Sequence, residues 1–394
     1  MAGTIRVGIV GSRFAAQFHW DGYQRVYGVP VTVAGVTSRS RESAESFARA
    51  HGVRAFNSMA ELCDAVDVID LCSPPVTHEP LAVEAFSRGK HVVIEKPFTG
   101  YFGPPAGDTE ADFRGDTFPK ELMLQEAIAS CDRILAAAKS AGKRLLYAED
   151  WVYAPAIAKE REIVQKGGGQ LLWIVGDESH SGSHSPYYGI WRHSGGGSMV
   201  GKGCHPLSAA LHLKRVEGDA RSQRPIRPAS VSARTHAITR SLGFQNAGFL
   251  RTDYQDVEDY AQVHVTFEDG TVADIFASEL VLGGVHNWLE VFANNHRTRC
   301  NLNPIDALET YNPREDLFKD IYVTEKLGTK QGWSHPAPDE SWQHGYPQEF
   351  QDFMEAIHYD REPIAGGELA RDTIAALYAG YVSAERRGAE VHVP

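Results

Sequence analysis

The chain lacks any apolar run of the ~18–20 residues that a membrane-spanning helix requires. Its five cysteines, Cys63, Cys72, Cys131, Cys204 and Cys300, are scattered and form no CxxC pair. That argues against a disulfide framework and against a zinc knuckle. Positive charge is in deficit: 39 Lys and Arg stand against 51 Asp and Glu, a net charge of -12. The average field repels a polyanion, so nucleic acid is not an expected partner, and neither is a membrane. The opening MAGTIRVGIVGS enters a strand pattern at once, without the basic segment, apolar core and cleavage site of a secretory leader. Cytoplasm is therefore the expected compartment. What the chain does have is size and histidine. Its 394 residues suit two domains at about 150 residues each. A composition of 42% hydrophobic and 23% charged residues is enough to bury a sizeable core. Of its 17 histidines, several crowd between Ser179 and His205.

The first half alternates short apolar runs with helical periodicity. Strands are expected at Ile5–Val10, Val31–Val36, Val66–Cys72, His91–Ile94 and Arg144–Ala148. Helices are expected at Ala15–Tyr27, Arg41–His51, Glu79–Arg88 and Leu122–Ala141. Such alternation makes βαβ units and a parallel sheet. A Gly-, Pro- and Asp-rich stretch, Thr99–Thr117, interrupts it and is either a functional loop over the site or a surface insertion. From about Gly168 the pattern becomes strand-rich, at Gln170–Gly176, Val231–Thr235, Tyr260–Phe267, Thr271–Glu279, Asn287–Ala293 and Arg297–Asn301. Glu268-Asp269-Gly270 and Asn294-Asn295 supply hairpin turns, so this sheet is expected to be antiparallel. Arg215–Arg227 reads as a charged loop, and Tyr346–His358 and Glu368–Arg387 as closing helices.

The first strand runs into Gly11-Ser12-Arg13-Phe14-Ala15-Ala16. A dinucleotide fold needs a tight turn there, with small residues where a pyrophosphate meets a helix N-terminus. Gly11 and Ala16 fit the first and third places of GxGxxG/A, while Arg13 stands at the second. The second strand ends in Ser38-Arg39-Ser40-Arg41, with no acidic residue to repel a 2′-phosphate. Charge logic favours NADP, with Arg39 and Arg41 placed to pair with that phosphate. Arg39 stacked on adenine, compatible with NAD, is the alternative.

Two later blocks carry a family resemblance. Ser73-Pro74-Pro75-Val76-Thr77-His78 follows the third strand, and Gly89-Lys90-His91-Val92-Val93-Ile94-Glu95-Lys96-Pro97 contains the next one. Together they resemble the TPxxxH and GKHVxxEKP motifs of the Gfo/Idh/MocA oxidoreductases. The resemblance implies a catalytic Lys96 beside nicotinamide and substrate, on a peptide to Pro97 that is often strained or cis. It also implies cofactor contacts from Ser73, Pro74, His78 and Glu95. The position agrees with elementary chemistry, because a lysine at the C-terminal end of a parallel strand faces the ligand crevice and can steady an alkoxide.

The block WRHSGGGSMVGKGCHP resembles the family's GGGxxxDxGxH. His205 is kept and is expected to act as the acid or base, since imidazole titrates near working pH. Gly201 stands where the family has Asp, so the His205 tautomer must be fixed by another group. Lys202 serves an anionic substrate or, as the preferred reading, is solvated. Cys204 reads as a packing residue. The loop from Glu178 through His180, His184, Tyr187, Tyr188, Trp191 and His193 suits sugar binding. A metal held by His180, His184 and His193 is the sharper, disfavoured alternative. Asp150-Trp151-Val152-Tyr153-Ala154-Pro155 resembles NxRxxP, with Tyr153 near substrate or simply packed.

The expected architecture is α/β. A doubly wound Rossmann domain spans residues 1–148, with the inserted loop 99–117. An α/β domain spans residues 149–394, built on a large, open, mostly antiparallel sheet for substrate binding and oligomerisation, with the last helices packing back. The resemblance implies NAD(P)-dependent hydride transfer at a secondary alcohol of a sugar, cyclitol or glycoside, by a homodimer or homotetramer without a metal. Two alternatives remain open: a redox-assisted lyase or glycosidase with tightly held NAD, and a non-catalytic sugar- or cofactor-binding protein.

Overall fold

A computed structural model of the chain describes residues 3–104, 113–183, 185–303 and 307–394. His184 and residues 105–112 of the inserted stretch lie outside the described residues. In the first half the apolar runs become buried strands, each followed by a helix. The order is β1 (Ile5–Val10), α1 (Phe14–Gln24), β2 (Val31–Thr37), α2 (Arg41–His51), β3 (Arg54–Ala55), α3 (Met59–Ala65), β4 (Val68–Leu71), α4 (His78–Ser87), β5 (His91–Glu95), α5 (Lys120–Ala141) and β6 (Leu145–Ala148). Helix α2 shows why its bounds were readable. Ser40 accepts from the Ser43 amide at 3.3 Å, Gly52 ends the helix at φ 68°, and Ala44, Phe47 and Ala48 form the buried face.

All six strands pair in parallel, in the order β3-β2-β1-β4-β5-β6. The order reverses between β1 and β4, and ligands of such sheets bind at the carboxyl ends beside that switch. The residues just beyond those ends are Gly11 after β1, Cys72 and Ser73 after β4, Lys96 after β5, and Glu149 after β6.

The second half contains α6 (Pro155–Gly167), β7 (Leu171–Ser179), α7 (Trp191–Ser194), α8 (Ser198–Gly201), α9 (Cys204–Ser222), β8 (Pro228–His236), β9 (Tyr260–Phe267), β10 (Val272–Ser278), β11 (His286–Ala293), β12 (Arg297–Asn301), β13 (Thr310–Asn312), β14 (Gly332–Ser334), α10 (Glu340–His344), α11 (Tyr346–His358), α12 (Gly367–Glu385) and β15 (Val391–His392). Seven strands form one sheet, ordered β12-β11-β7-β10-β9-β8-β15. Every pair is antiparallel except β7 with β10. Helix α11 packs on α1, and α12 packs on α5, β8 and α9. Among the described residues no helix is long and apolar enough to cross a membrane.

The segment read as a charged loop, Arg215–Arg227, is corrected: α9 continues to Ser222, leaving only the last few residues irregular. Its charges are tied down. Lys214 is buried against Glu217 at 2.6 Å and Asp269 at 3.0 Å, and Arg215 binds Asp372 at 3.0 Å. The described flanks of the inserted stretch pack inward. The Tyr378 hydroxyl accepts from the Tyr101 amide at 2.7 Å, and the Gly115 amide donates to Asp256 at 2.7 Å.

Candidate active site

The site is built on the carboxyl edge of the parallel sheet and is faced by β7 and the turns around α8. Gly11 makes the first turn, at φ 113°. A Cβ there would lie 2.4 Å from the Cys72 carbonyl oxygen, so only glycine fits between the ends of β1 and β4. Helix α1 begins next to it with no side-chain cap from Arg13 and no acid in its first turn. Its uncapped amides and positive dipole end therefore stand open to an anion, which is what a dinucleotide pyrophosphate requires. Ser12 bonds Ser43 across to α2 at 2.7 Å, and Arg13 and Phe14 are exposed. A cavity of about 630 Å3 opens beside this turn, bounded by Phe14, Phe18, Tyr322, Lys326 and Ser341. Gly11→Ala is expected to strain the turn by about 1–3 kcal/mol and to weaken dinucleotide binding, measured as quenching of protein fluorescence. Wild-type affinity in this variant would show that the turn does not cradle the cofactor.

At the end of β2, Ser38 is half-buried and Arg39 exposed. Arg39 makes no hydrogen bond or ion pair among the described residues, whereas Arg41 is committed to Glu45 at 2.6 Å and Asn57 at 2.5 Å.

Lys96 leaves β5 on a cis peptide to Pro97. The buried His78 ring braces this turn: Nδ1 lies 3.0 Å from the Pro97 carbonyl, and Nε2 lies 2.9 Å from the Ser73 carbonyl. The ring thus joins the loops after β4 and β5, with Ser73 hydroxyl to Thr77 at 2.7 Å and Pro74 exposed. Glu95 points the other way, to His19 at 3.3 Å, and His19 in turn binds Asp70 at 2.9 Å. The Lys96 ammonium donates to the Gly201 carbonyl at 3.4 Å, spanning the two halves of the site. Burial pulls its pKa down, but Glu178, Glu95 and other surrounding groups outweigh this and hold it well above the usual lysine value.

His205, in the first turn of α9, meets carboxylates on both nitrogens. Nδ1 lies 2.5 Å from Glu149 and 3.1 Å from Asp150, and Nε2 lies 3.6 Å from Glu178. Trp151 stacks on the ring, with centroids 6.0 Å apart. The group that fixes the orientation of the His205 ring is therefore Glu149, aided by Asp150. Burial lowers the imidazole pKa, but Glu149 and Glu178 more than compensate, and it stands well above the ordinary value. The expectation of an imidazole titrating near neutrality is thus corrected. The group near neutrality is Glu178, whose carboxyl burial pushes up to about 7 against the pull of His205, Lys96 and Lys202.

The space an Asp at 201 would fill is taken. A Cβ on Gly201 would sit 3.3 Å from the Tyr188 ring. Burial raises the Tyr188 hydroxyl pKa while the Lys96 charge lowers it, which puts this phenol beside the lysine. Lys202, read as solvated, is instead 1% exposed and ion-paired with Glu279, with Ser183 Oγ at 3.4 Å. Its charge is committed inside the protein, so it is not available as an anion receptor. His180 receives the Gly182 amide at 3.1 Å and lies 3.9 Å from Glu279.

Two residues read as substrate contacts are committed elsewhere. Trp191 is 2% exposed; its indole N–H donates to the Tyr101 carbonyl at 3.0 Å, and its ring packs on Tyr381. It forms core rather than a sugar platform. The Tyr153 hydroxyl donates to Asp352 at 2.8 Å and accepts from the Ala365 amide at 2.9 Å, which uses its bonding capacity. Cys204 packs as expected, its thiol pushed up to about 12 by burial. Among the described residues, the two groups that bring three metal-ligand side chains together, His19/Asp70/Cys72 and Glu149/Cys204/His205, include neither His180 nor His193.

Sequence reasoning missed Glu149 and Glu279 as site residues and placed Glu178 only at the start of the sugar-binding loop. Glu149 carried the same signal as Lys96, a polar residue directly after an apolar parallel strand. Glu178 lies one residue before the end of β7, two residues past the expected strand end.

Residues 5–103 match the family described as "Oxidoreductase family, NAD-binding Rossmann fold", and residues 158–297 match the GFO/IDH/MocA C-terminal domain. Glucose-6-phosphate 3-dehydrogenase of Bacillus subtilis (strain 168) is 30% identical over 92 residues, 23% of this chain and 26% of that protein. UDP-N-acetylglucosamine 3-dehydrogenase of Acidithiobacillus ferrooxidans is 34% identical over 95 residues, 24% of this chain and 29% of that protein. The chain thus matches under a third of the length of these curated relatives. Across the whole chain, the crystal structure of GenD2 from gentamicin A biosynthesis, in complex with NAD, superposes with a TM-score of 0.79 at 21% identity, covering 100% of this chain and 97% of that one. At that identity the likeness is one of fold.

Proposed function

The chain belongs to the Gfo/Idh/MocA oxidoreductase family, and on that premise we propose that it is a nicotinamide-dependent dehydrogenase acting on a secondary alcohol of a sugar, cyclitol or glycoside. The observation that carries this reading is the convergence of the Lys96 ammonium with the His205–Glu149–Glu178 cluster at the carboxyl edge of β5 and β6. The names of the curated relatives, a hexose phosphate dehydrogenase and a nucleotide-sugar dehydrogenase, support the substrate class.

The Gly11 turn and the uncapped start of α1 fit a dinucleotide. When bound, an oxidised nicotinamide supplies the hydride acceptor. The chain supplies the rest. Lys96 donates to the hydroxyl oxygen and steadies negative charge as it grows there. The acid–base work falls to the His205 cluster, which Glu149, Asp150 and Trp151 hold in one orientation. Tyr188 borders the same space and suits recognition of a neighbouring hydroxyl.

The experiment follows absorbance of the reduced nicotinamide while glucose 6-phosphate, galactose, myo-inositol, UDP-N-acetylglucosamine and amino-sugar glycosides are offered with NAD+ or NADP+. Stoichiometric cofactor reduction by a member of the panel is expected. Release of an aglycone without net reduction would replace this reading with transient oxidation.

Ser38 and Arg39 support a preference for NADP, since no carboxylate ends β2 and Arg39 is exposed there. A charge-assisted bond to a 2′-phosphate is worth ~1.5–3 kcal/mol, so Arg39→Asp is expected to weaken NADP+ about tenfold or more relative to NAD+. An unchanged ratio of the two dissociation constants would leave NAD as the cofactor.

Homo-oligomers are expected to form through the open face of the seven-stranded sheet. There Trp173, 40% exposed, stacks on Phe292 at 4.6 Å. Light scattering of the purified protein decides this.

A further inference from the structure

Glu178 is the penultimate residue of β7, and its carboxyl group faces His205 in the site. It is 8% exposed, and its Oε2 has no hydrogen-bond partner among the described residues. Leaving a buried carboxylate oxygen unpaired is costly, so the position suits a ligand donor. Oε2 faces His205 Nε2 across 3.6 Å, too long for a hydrogen bond but short enough for one hydroxyl oxygen to bridge both atoms. The opposite nitrogen of the ring is held by Glu149 and Asp150. An imidazole enclosed by three carboxylates keeps both protons, and a ring that already carries both cannot accept another.

The groups that face Glu178 come from every side of it. His205 lies on α9, Lys96 beyond β5, Lys202 before α9 and Asp150 beyond β6. Its strand neighbours, Ala277 on β10 and Asn287 on β11, are uncharged. Burial disfavours the carboxylate, the three cations restore it, and the balance near 7 is where a general base works best at neutral pH.

We propose that Glu178, rather than His205, takes the proton of the reacting hydroxyl, while His205 acts as a fixed imidazolium that donates to the same oxygen beside Lys96. This rests on the dehydrogenase reading above. In the step, the substrate O–H bond breaks and its proton passes to Glu178 Oε2, the electron pair staying on oxygen. That pair forms the C=O bond as the carbinol C–H bond breaks. The hydride leaves with its two electrons for C4 of the oxidised nicotinamide. The substrate is oxidised by two electrons and the cofactor is reduced by two.

The test begins without substrate. Protein labelled with carbon-13 at the Glu carboxyls and His rings is titrated by NMR. Two buried Glu carboxyls, those of Glu178 and Glu258, are expected to titrate near neutral pH, and one of the two signals should vanish from the spectrum of Glu178→Gln, while His205 stays doubly protonated through neutrality. In the second stage the pH profile of kcat/KM is measured with the best sugar of the panel. Glu178→Gln should lose the rising limb near neutrality and ~10²–10⁴-fold in rate, with dinucleotide affinity retained as the check of folding. His205→Gln should be slower but keep the limb. Deprotonation of His205 between about pH 6 and 8 with Glu178 already ionised in acid overturns the proposal. So does an unchanged limb in Glu178→Gln. No cofactor reduction by any panel member, with Glu178 titrating as expected, overturns the dehydrogenase reading instead.

Discussion

Lys96→Met is expected to lower kcat for cofactor reduction by ~10²–10³-fold, the usual cost of deleting one donor to a developing oxyanion, with dinucleotide affinity nearly unchanged. On the proposed reading the lysine lies where charge appears on the substrate oxygen, and the turn that carries it is held in one fixed posture. His78 ties the Lys96–Pro97 turn to the loop after β4, and the Gly201 carbonyl receives the ammonium from the other half of the molecule. Glu95, adjacent in sequence, is engaged by His19, so removing Lys96 does not leave it stranded. The loss should therefore fall on kcat rather than on stability. Arginine is not a substitute, because its planar fork cannot reproduce a single compact ammonium in a buried slot. The raised pKa of Lys96 fixes a second expectation. Its charged form persists well above neutrality, so no limb of the pH–rate profile near pH 7 belongs to it. Steady-state kinetics with the best panel sugar checks both points. A Lys96→Met variant with wild-type kcat would remove this residue from the chemistry.

Much of the cofactor half was readable because its signals are local. Gly11 follows an apolar strand, Ser40 and Gly52 bracket α2, and GKHVVIEKP spells a buried strand with a lysine at its carboxyl end. Two helices carried signals of the same kind and still escaped: Ser58 caps α3 by accepting from the Glu61 amide, and α6 opens on Pro155 and closes before Gly168. The second half was legible in its strands and turns but not in its charges. Arg215 and its neighbours looked like a solvated loop, because nothing in the sequence says that Asp269 and Asp372 come to meet this stretch of helix. The same blindness applies to the site. Glu149, Glu178 and Glu279 lie 56, 27 and 74 residues from His205 in sequence, a spacing that carries no pattern, and only the fold brings them to it and to Lys202. Trp191 failed in the opposite direction, since an aromatic in a polar, glycine-rich stretch looks like a ligand platform until Tyr101 and Tyr381 are seen to enclose it.

Lys202→Met is expected to destabilise the protein by ~3–5 kcal/mol, the cost of breaking a buried ion pair from one side. Lys202 follows α8 and is nearly inaccessible, and its partner Glu279, 2% exposed, lies just beyond β10. Among the described residues, removing the ammonium leaves that carboxylate with the Ser183 hydroxyl at 3.2 Å and the His180 ring at 3.9 Å, which do not replace a full ammonium charge in a medium that excludes water. At ~2–4 °C per kcal/mol for a domain of 150–250 residues, the melting temperature should fall by roughly 6–20 °C. The double variant Lys202→Met with Glu279→Leu separates this cause from lost packing. It removes both charges and should regain most of the loss, because replacing an entire buried pair with apolar groups is often nearly neutral. If the single variant melts with the wild type, the pair contributes no net stability. If single and double variants are equally destabilised, the cost lies in the shape of the side chains and not in a stranded charge. The outcome also bears on chemistry, because Lys202 is one of the cations that favour the Glu178 carboxylate. With Lys202 gone the Glu178 pKa must rise, and the neutral limb of the pH–rate profile should move to higher pH in the single variant.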